Sequence, residues 1–165
     1  MPPSTTAPRC ITLDTLRAMK AQGRKIAMLT AYDYPTARWA QSAGVHSLLV
    51  GDSMGTVLLG HDTTRRTPLA LLLILAEAVR RGAPDVFLIG DMPYEAIAEG
   101  PAATRAAARR FRDEAGCDAV KIETGPQDEG LIEGLTADGI VAIAHLGLRP
   151  QQVLAPDGYR AQARD

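Results

Sequence analysis

Three acidic residues stand directly behind apolar runs: Asp52 after His46-Ser-Leu-Leu-Val-Gly51, Asp91 after Val86-Phe-Leu-Ile-Gly90, and Glu123 after Ala119-Val-Lys-Ile122. Carboxylates are hard oxygen donors, and Mg²⁺ prefers such donors while keeping several of its waters. Three of them at equivalent places point to a divalent-cation site and to metal-assisted chemistry on a small anionic substrate, provided the fold gathers them. Lys121 lies two positions before Glu123, so on an extended strand the two side chains share a face. A charged pair on a buried strand is unfavourable unless it is matched or functional. The lysine therefore reads as a partner for an oxyanion and the glutamate as a metal ligand, with an internal ion pair as the plainer alternative. His145 ends a fifth run, Ile140-Val-Ala-Ile-Ala144, where a pocket role and a hydrogen-bonded core role are both open.

The elements that must position these residues follow from the apolar pattern. Short runs bounded by turn residues read as buried parallel strands, and a further strand is expected over Ile26-Ala-Met-Leu-Thr30. Between the runs lie helical stretches: Thr12 as cap of a helix through Lys20 with Gly23 as its stop, then Tyr34 to Ser42, Pro68 to Arg81, Ala102 to Ala115 and Asp128 to Ala137. Gly44, Gly82, Gly116 and Gly139 each precede a strand and are expected at helix ends with positive φ. Alternating strands and helices imply βαβ units and a parallel sheet, either doubly wound or a barrel. The strand ends of such a sheet converge on one face, where ligands bind. A (β/α)₈ barrel typically takes about 250 residues. This chain has 165, so about five βα units of an incomplete barrel are expected over residues 11–165, behind a disordered tail at residues 1–10.

A competing motif needs weighing. Gly51-Asp52-Ser53-Met54-Gly55 matches G-x-S-x-G, and Asp91 or Asp118 followed by His145 keeps the chain order of an α/β-hydrolase triad. That motif requires its serine to open into a helix, whereas Thr56-Val-Leu-Leu-Gly60-His61 reads as a loop, so Ser53 is better taken as a hydrogen-bond donor to a ligand carboxylate. Arg80-Arg81 and Arg109-Arg110 read as solvated helix faces, Cys117 as a small core residue, and Trp39 with the Leu69 to Leu75 stripe as helix packing surface.

Bulk properties narrow the class. A hydrophobic fraction of 46% and a charged fraction of 22% describe an ordinary globular protein, and a net charge of -1 makes no case for nucleic acid or an anionic membrane. Cys10 and Cys117 match neither a metal spacing nor a disulfide framework, which makes a reducing cytosol the default. The run Leu69 to Ala76 is too short to span a bilayer, and Met1 to Pro8 lacks the regions of a signal peptide.

Taken together in chain order, Thr30-Ala-Tyr-Asp-Tyr34, Leu49-Val-Gly-Asp-Ser53, Arg80-Arg-Gly-Ala83, Asp91-Met-Pro93, Val120-Lys-Ile-Glu123 and His145-Leu-Gly-Leu-Arg-Pro-Gln151 resemble the ketopantoate (3-methyl-2-oxobutanoate) hydroxymethyltransferase family of pantothenate synthesis. The resemblance implies a (β/α)₈ barrel that assembles as a homo-oligomer, commonly a decamer. It implies that Asp52 and Asp91 bind Mg²⁺ directly, that Glu123 completes the site, directly or through water, and that Asp52, Ser53, Asp91 and Lys121 contact the 2-oxo acid. His145 joins this substrate-binding set from its strand end. The implied chemistry is Lewis-acid activation of 3-methyl-2-oxobutanoate, with Lys121 stabilising the enolate, and attack on the one-carbon unit of 5,10-methylenetetrahydrofolate to give 2-dehydropantoate.

This sequence also departs from the family pattern. The family continues well beyond Asp165, through the glutamate that serves it as general base and the strands that close the barrel. Leu71 and Leu75 stand where the family has an acidic residue and a histidine, and Asp157 and Ala163 where glycine is usual. Two readings result: a hydroxymethyltransferase, or a shortened non-catalytic relative that binds metal and 2-oxo acid or only associates with full-length subunits. An enolate-forming barrel of the phosphoenolpyruvate mutase and isocitrate lyase type is chemically close but does not carry these motifs. Loss of a general base typically lowers rate by about 10²–10⁴-fold, and an unclosed parallel sheet leaves unpaired edges. Turnover by this chain alone is thus expected to be very slow, and the chain is expected to be marginal alone or to pair with another copy.

Overall fold

The computed structural model describes residues 10–154 and 159–160. Apart from Cys10, the tail expected at residues 1–10 lies outside the described residues, as do Asp157 and Ala163. Five strands, β1 (Met28–Thr30), β2 (Ser47–Val50), β3 (Phe87–Asp91), β4 (Ala119–Glu123) and β5 (Ala142–His145), form one sheet in the order β1-β2-β3-β4-β5. All four pairings are parallel. A doubly wound sheet reverses its strand order at a switch point. Here each strand neighbours the next in sequence, which is the wall of a (β/α) barrel.

Helix α1 (Leu13–Ala21) precedes β1, and helices fill the crossovers: α2 (Tyr34–Ser42), α3 (Met54–Val57), α4 (Leu69–Gly82), α5 (Tyr94–Ala98), α6 (Pro101–Asp113) and α7 (Glu129–Ala137). Local chemistry starts them where expected. Thr12 and Thr15 exchange capping bonds at the head of α1, and Asp33 accepts the Thr36 amide at 2.7 Å ahead of Pro35 in α2. An N-cap of that kind contributes about 1 kcal/mol. The expected α3 region was a loop; it is one helical turn, since four residues with no apolar period leave little trace in sequence. The α5 turn follows Pro93, whose fixed φ suits a helix start.

Side-chain alternation divides the sheet into two faces. Leu48, Val50, Leu88, Val120 and Ile122 point outward into the main core, against Leu72, Ala76, Val79, Ala107, Ala108 and Phe111 of α4 and α6. Phe87, Ile89 and Ala119 point inward, where Ile11, Leu13 and Leu16 cover them. Two glycines are dictated by close approach. A Cβ on Gly90 would overlap the buried Phe111 ring, and one on Gly82 would overlap the Tyr34 carbonyl oxygen. Gly82 is the last residue of α4 and lacks the positive φ expected for it, whereas Gly44, Gly116 and Gly139 have it. Its role is to let α4 lie against α2.

Three surface expectations need correction. Trp39 is 72% exposed and is no packing residue in this chain. Arg80 is not a solvated side chain. It donates to the carbonyls of Pro84, Val86 and Gly116 and pairs with Asp118, tying α4 to the starts of β3 and β4. Arg109 likewise pairs with Asp138 at 2.8 Å. Leu71 and Leu75 are half-buried against the core, and Cys117 is buried, with its thiol pushed up to about 12 by burial. No helix among the described residues is long and apolar enough to cross a membrane.

Candidate active site

Asp52, Asp91 and Glu123 lie at the carboxyl ends of β2, β3 and β4, the face on which barrels of this kind build their sites. Asp91, Lys121 and Glu123 belong to the inward face, because they alternate with the outward Gly90, Val120 and Ile122. All three carboxylate residues are buried, at 5%, 2% and 6% exposure. The sheet register puts Asp91 beside Lys121 and Glu123 beside His145, so neighbouring strands deliver the charged groups at one level.

Bonds connect the group. The Asp52 amide donates to Asp91 Oδ2 at 3.1 Å. Lys121 Nζ meets Asp91 Oδ1 at 2.7 Å as an ion pair, while that oxygen accepts no well-aligned hydrogen bond from the described residues. Gln151 bridges the other two: its amide N–H donates to Glu123 Oε2 at 3.1 Å and to Oε1 at 3.3 Å, and its side-chain Nε2 donates to Asp52 Oδ2 at 2.8 Å. Thr67 Oγ1 donates to the Asp52 carbonyl at 2.8 Å and fixes the turn that carries it.

Burial dominates the electrostatics. It raises Asp91 from 3.8 to about 7, outweighing the opposing attraction of Lys121, and the Asp52 charge adds to the rise. Burial raises Glu123 to about 7 against the Gln151 amide and Lys121, which pull it down. His145 is lowered first by burial and then by Lys121, against a hydrogen bond to the Leu148 backbone that raises it, and among the described residues its buried Nδ1 has no well-aligned hydrogen bond. Lys121 acts on both Asp91 and Glu123, Arg149 adds to the pull on Glu123, and the Asp52 charge opposes both, so three carboxylates are crowded at one rim.

The crowding of buried carboxylates, with Asp91 Oδ1 held by the Lys121 ion pair and no well-aligned hydrogen bond among the described residues, and an all-oxygen donor set fit a hard divalent cation. Asp52, Asp91 and Glu123 would hold it. Among the described residues no three His, Cys, Asp or Glu side chains already stand as a metal cage, and Gln151 hydrogen-bonds to oxygens of both Asp52 and Glu123.

Ser53 takes a different role from the one its motif suggests. Its Oγ lies 3.1 Å from the Tyr32 hydroxyl, with no histidine hydrogen-bonded to it, and its backbone is ordinary helical. A helix does follow, but one of four residues. Without a base on Ser53, the triad needed for a hydrolase is missing. Asp118 lies at the other end of β4, where it binds Arg80 and the Leu88 amide. His46 Nδ1 accepts the Ala27 amide, away from the carboxylates. Tyr32, Thr67 and Gln151 were not singled out from sequence as site residues: each is a lone polar residue in a loop, and only the Tyr32 and Gln151 positions fell within motifs of the family resemblance.

A family model for ketopantoate hydroxymethyltransferase matches residues 10–165. The 3-methyl-2-oxobutanoate hydroxymethyltransferase of Shouchella clausii is 44% identical over 153 residues, which cover 93% of this chain and 55% of that protein. The chain spans about half the length of the curated relatives it matches. In fold it is similar to phosphonopyruvate hydrolase in complex with oxalate and Mg²⁺, at TM-score 0.64 and 20% identity, covering 78% of this chain and 50% of that one. It is also similar to 2,3-dimethylmalate lyase of the PEP mutase/isocitrate lyase superfamily, at TM-score 0.57 and 22% identity, with 79% and 52% covered.

Proposed function

The chain belongs to the ketopantoate hydroxymethyltransferase family, and from that premise we propose that its rim of carboxylates serves 3-methyl-2-oxobutanoate hydroxymethyltransferase chemistry. The proposed reaction forms the enolate of 3-methyl-2-oxobutanoate and transfers a one-carbon unit from 5,10-methylenetetrahydrofolate to give 2-dehydropantoate. One observation carries the reading: Lys121 pairs with Asp91 on the inward face, beside buried Asp52 and Glu123. A structural ion pair would need one acid for one base, and the two further carboxylates have no such explanation.

Asp52, Asp91 and Glu123 would hold Mg²⁺, which when bound supplies Lewis acidity to the 2-oxo group. The similarly folded phosphonopyruvate hydrolase is itself in complex with oxalate, a small carboxylate anion, and Mg²⁺. Lys121, with its ammonium at the inward face, stabilises negative charge developing on the keto oxygen. Ser53 and the Tyr32 hydroxyl bound to it offer hydrogen bonds to the substrate carboxylate. His145, whose imidazole burial and Lys121 bias towards the neutral form, lines the substrate space one strand over. Removal of the C3 proton is assigned to none of these residues.

The test is titration calorimetry of 3-methyl-2-oxobutanoate into the chain with and without Mg²⁺. Binding that requires Mg²⁺ is expected, and binding of equal strength without it would overturn the reading. A homo-oligomer is proposed on the family premise, to be checked by sedimentation. Free thiols at Cys10 and Cys117 suit a proposed cytosolic setting.

A further inference from the structure

Gln151 belongs to a single 3-10 turn, Pro150–Gln152, that follows β5, yet it is 1% exposed. A long polar side chain is rarely buried to that degree unless its hydrogen bonds are met. Both hydrogens of its side-chain nitrogen are used, one on Asp52 Oδ2 and one on the Met92 carbonyl, each at 2.8 Å. Two acceptors facing one amide group fix which end points at them, since an amide oxygen there would meet only oxygens. Its backbone N–H is also used, shared between the two oxygens of Glu123. One residue thus reaches partners 99, 59 and 28 positions away in the chain. Those partners follow or end β2, β3 and β4.

We infer that Gln151 is a positioning residue that sets the geometry of the carboxylate rim, an inference that rests on reading the rim as a cation site. A neutral donor is suited to that task. Carboxylates crowded without a bound partner repel and splay, and an amide hydrogen holds an oxygen in place without cancelling its charge. A lysine or arginine at the same point would add a full positive charge and compete with the cation. Holding Asp52 by one oxygen leaves its other oxygen uncommitted to Gln151, and the Met92 bond anchors the amide to the backbone just past Asp91. Groups that orient metal ligands in this way commonly alter metal affinity by about 10–100-fold when removed.

The experiment titrates Mn²⁺, as a paramagnetic substitute for Mg²⁺, into the full 165-residue chain and into Gln151→Met, Asp52→Asn and Asp91→Asn variants. Methionine keeps the length and the backbone N–H and removes the side-chain donor. Mn²⁺ affinity of Gln151→Met should fall by about tenfold or more, and the metal-free thermal midpoint should fall as well, because the Met92 carbonyl and Asp52 Oδ2 lose their donor. Unchanged or tighter binding in that variant, while both Asp variants lose binding, would overturn the role of Gln151 alone. Undiminished binding in the Asp variants would overturn the cation site and this inference with it. A second measurement needs no variant. The Gln151 side-chain amide protons of the unmutated chain, assigned by triple-resonance NMR, should exchange slowly with solvent and shift on Mg²⁺ addition. Fast exchange with no shift would contradict the inference.

Discussion

The two ends of the parallel sheet treat their carboxylates in opposite ways. At the amino end, each acid has a matched donor: Asp85 exchanges bonds with Gln41, Asp118 binds Arg80, and Asp138 binds Arg105 and Arg109. Hydrogen bonding from Arg105 holds Asp138 below its usual range. At the carboxyl end, Asp91 and Glu123 are buried and pushed up to about 7, Lys121 pairs with Asp91, and Asp52 and Glu123 are held by the neutral Gln151. The first arrangement stabilises the joints between helices and sheet. The second leaves charge unmatched, which is destabilising in itself and makes sense where a ligand supplies the missing cation.

Removing an acid from the unmatched end should have the largest effect. Asp91→Asn is expected to abolish Mg²⁺-dependent binding by calorimetry. A variant that binds as before would erase the distinction between the ends.

The pH dependence should run in opposite directions. Asp91 and Glu123 have folded values near 7 against ordinary values of 3.8 and 4.5. Across that window the folded chain binds more protons than the unfolded one, so their contribution falls as pH rises from about 4 to about 7. Asp138 is lowered, so its contribution is present above its ordinary value and is lost on acidification. Urea unfolding at pH 5 and pH 8 without metal should therefore show lower stability at pH 8 in the parent chain. The difference should shrink in Asp91→Asn.

Lys121→Met should destabilise the metal-free chain by about 3 kcal/mol at pH 8 and less at pH 6, because the abandoned Asp91 takes up a proton at the lower pH. Equal losses at both pH values would argue against an ionised Asp91. On the matched end, Arg80→Ala should cost about 1–3 kcal/mol of stability through the carbonyls it leaves unpaired, with Mg²⁺ affinity unaltered. The smallest effect is expected for Arg110→Ala, whose exposed pair with Glu114 should leave the midpoint within experimental scatter.

Legibility in the sequence followed the same division. The helix Tyr34–Ser42 could be read to the residue because Asp33 and Pro35 mark its start. Strands β2, β3 and β4 were readable because buried parallel strands are continuous apolar runs, and the acids that end them stood out for that reason. The one-turn helix α5, the exposure of Trp39 and the structural work of Arg80 left no such trace. Each depends on which distant segment lies nearby. Gln151 is the clearest case, since its importance lies in partners up to 99 positions away.

The most direct measurement is anomalous diffraction from crystals of the chain soaked with Mn²⁺ and 3-methyl-2-oxobutanoate. A peak within about 2.0–2.4 Å of carboxylate oxygens of Asp52 and Asp91, with Glu123 bound directly or through water, is the predicted result. A metal seated elsewhere, or carboxylates that keep their Lys121 and Gln151 partners with no metal among them, would contradict the account.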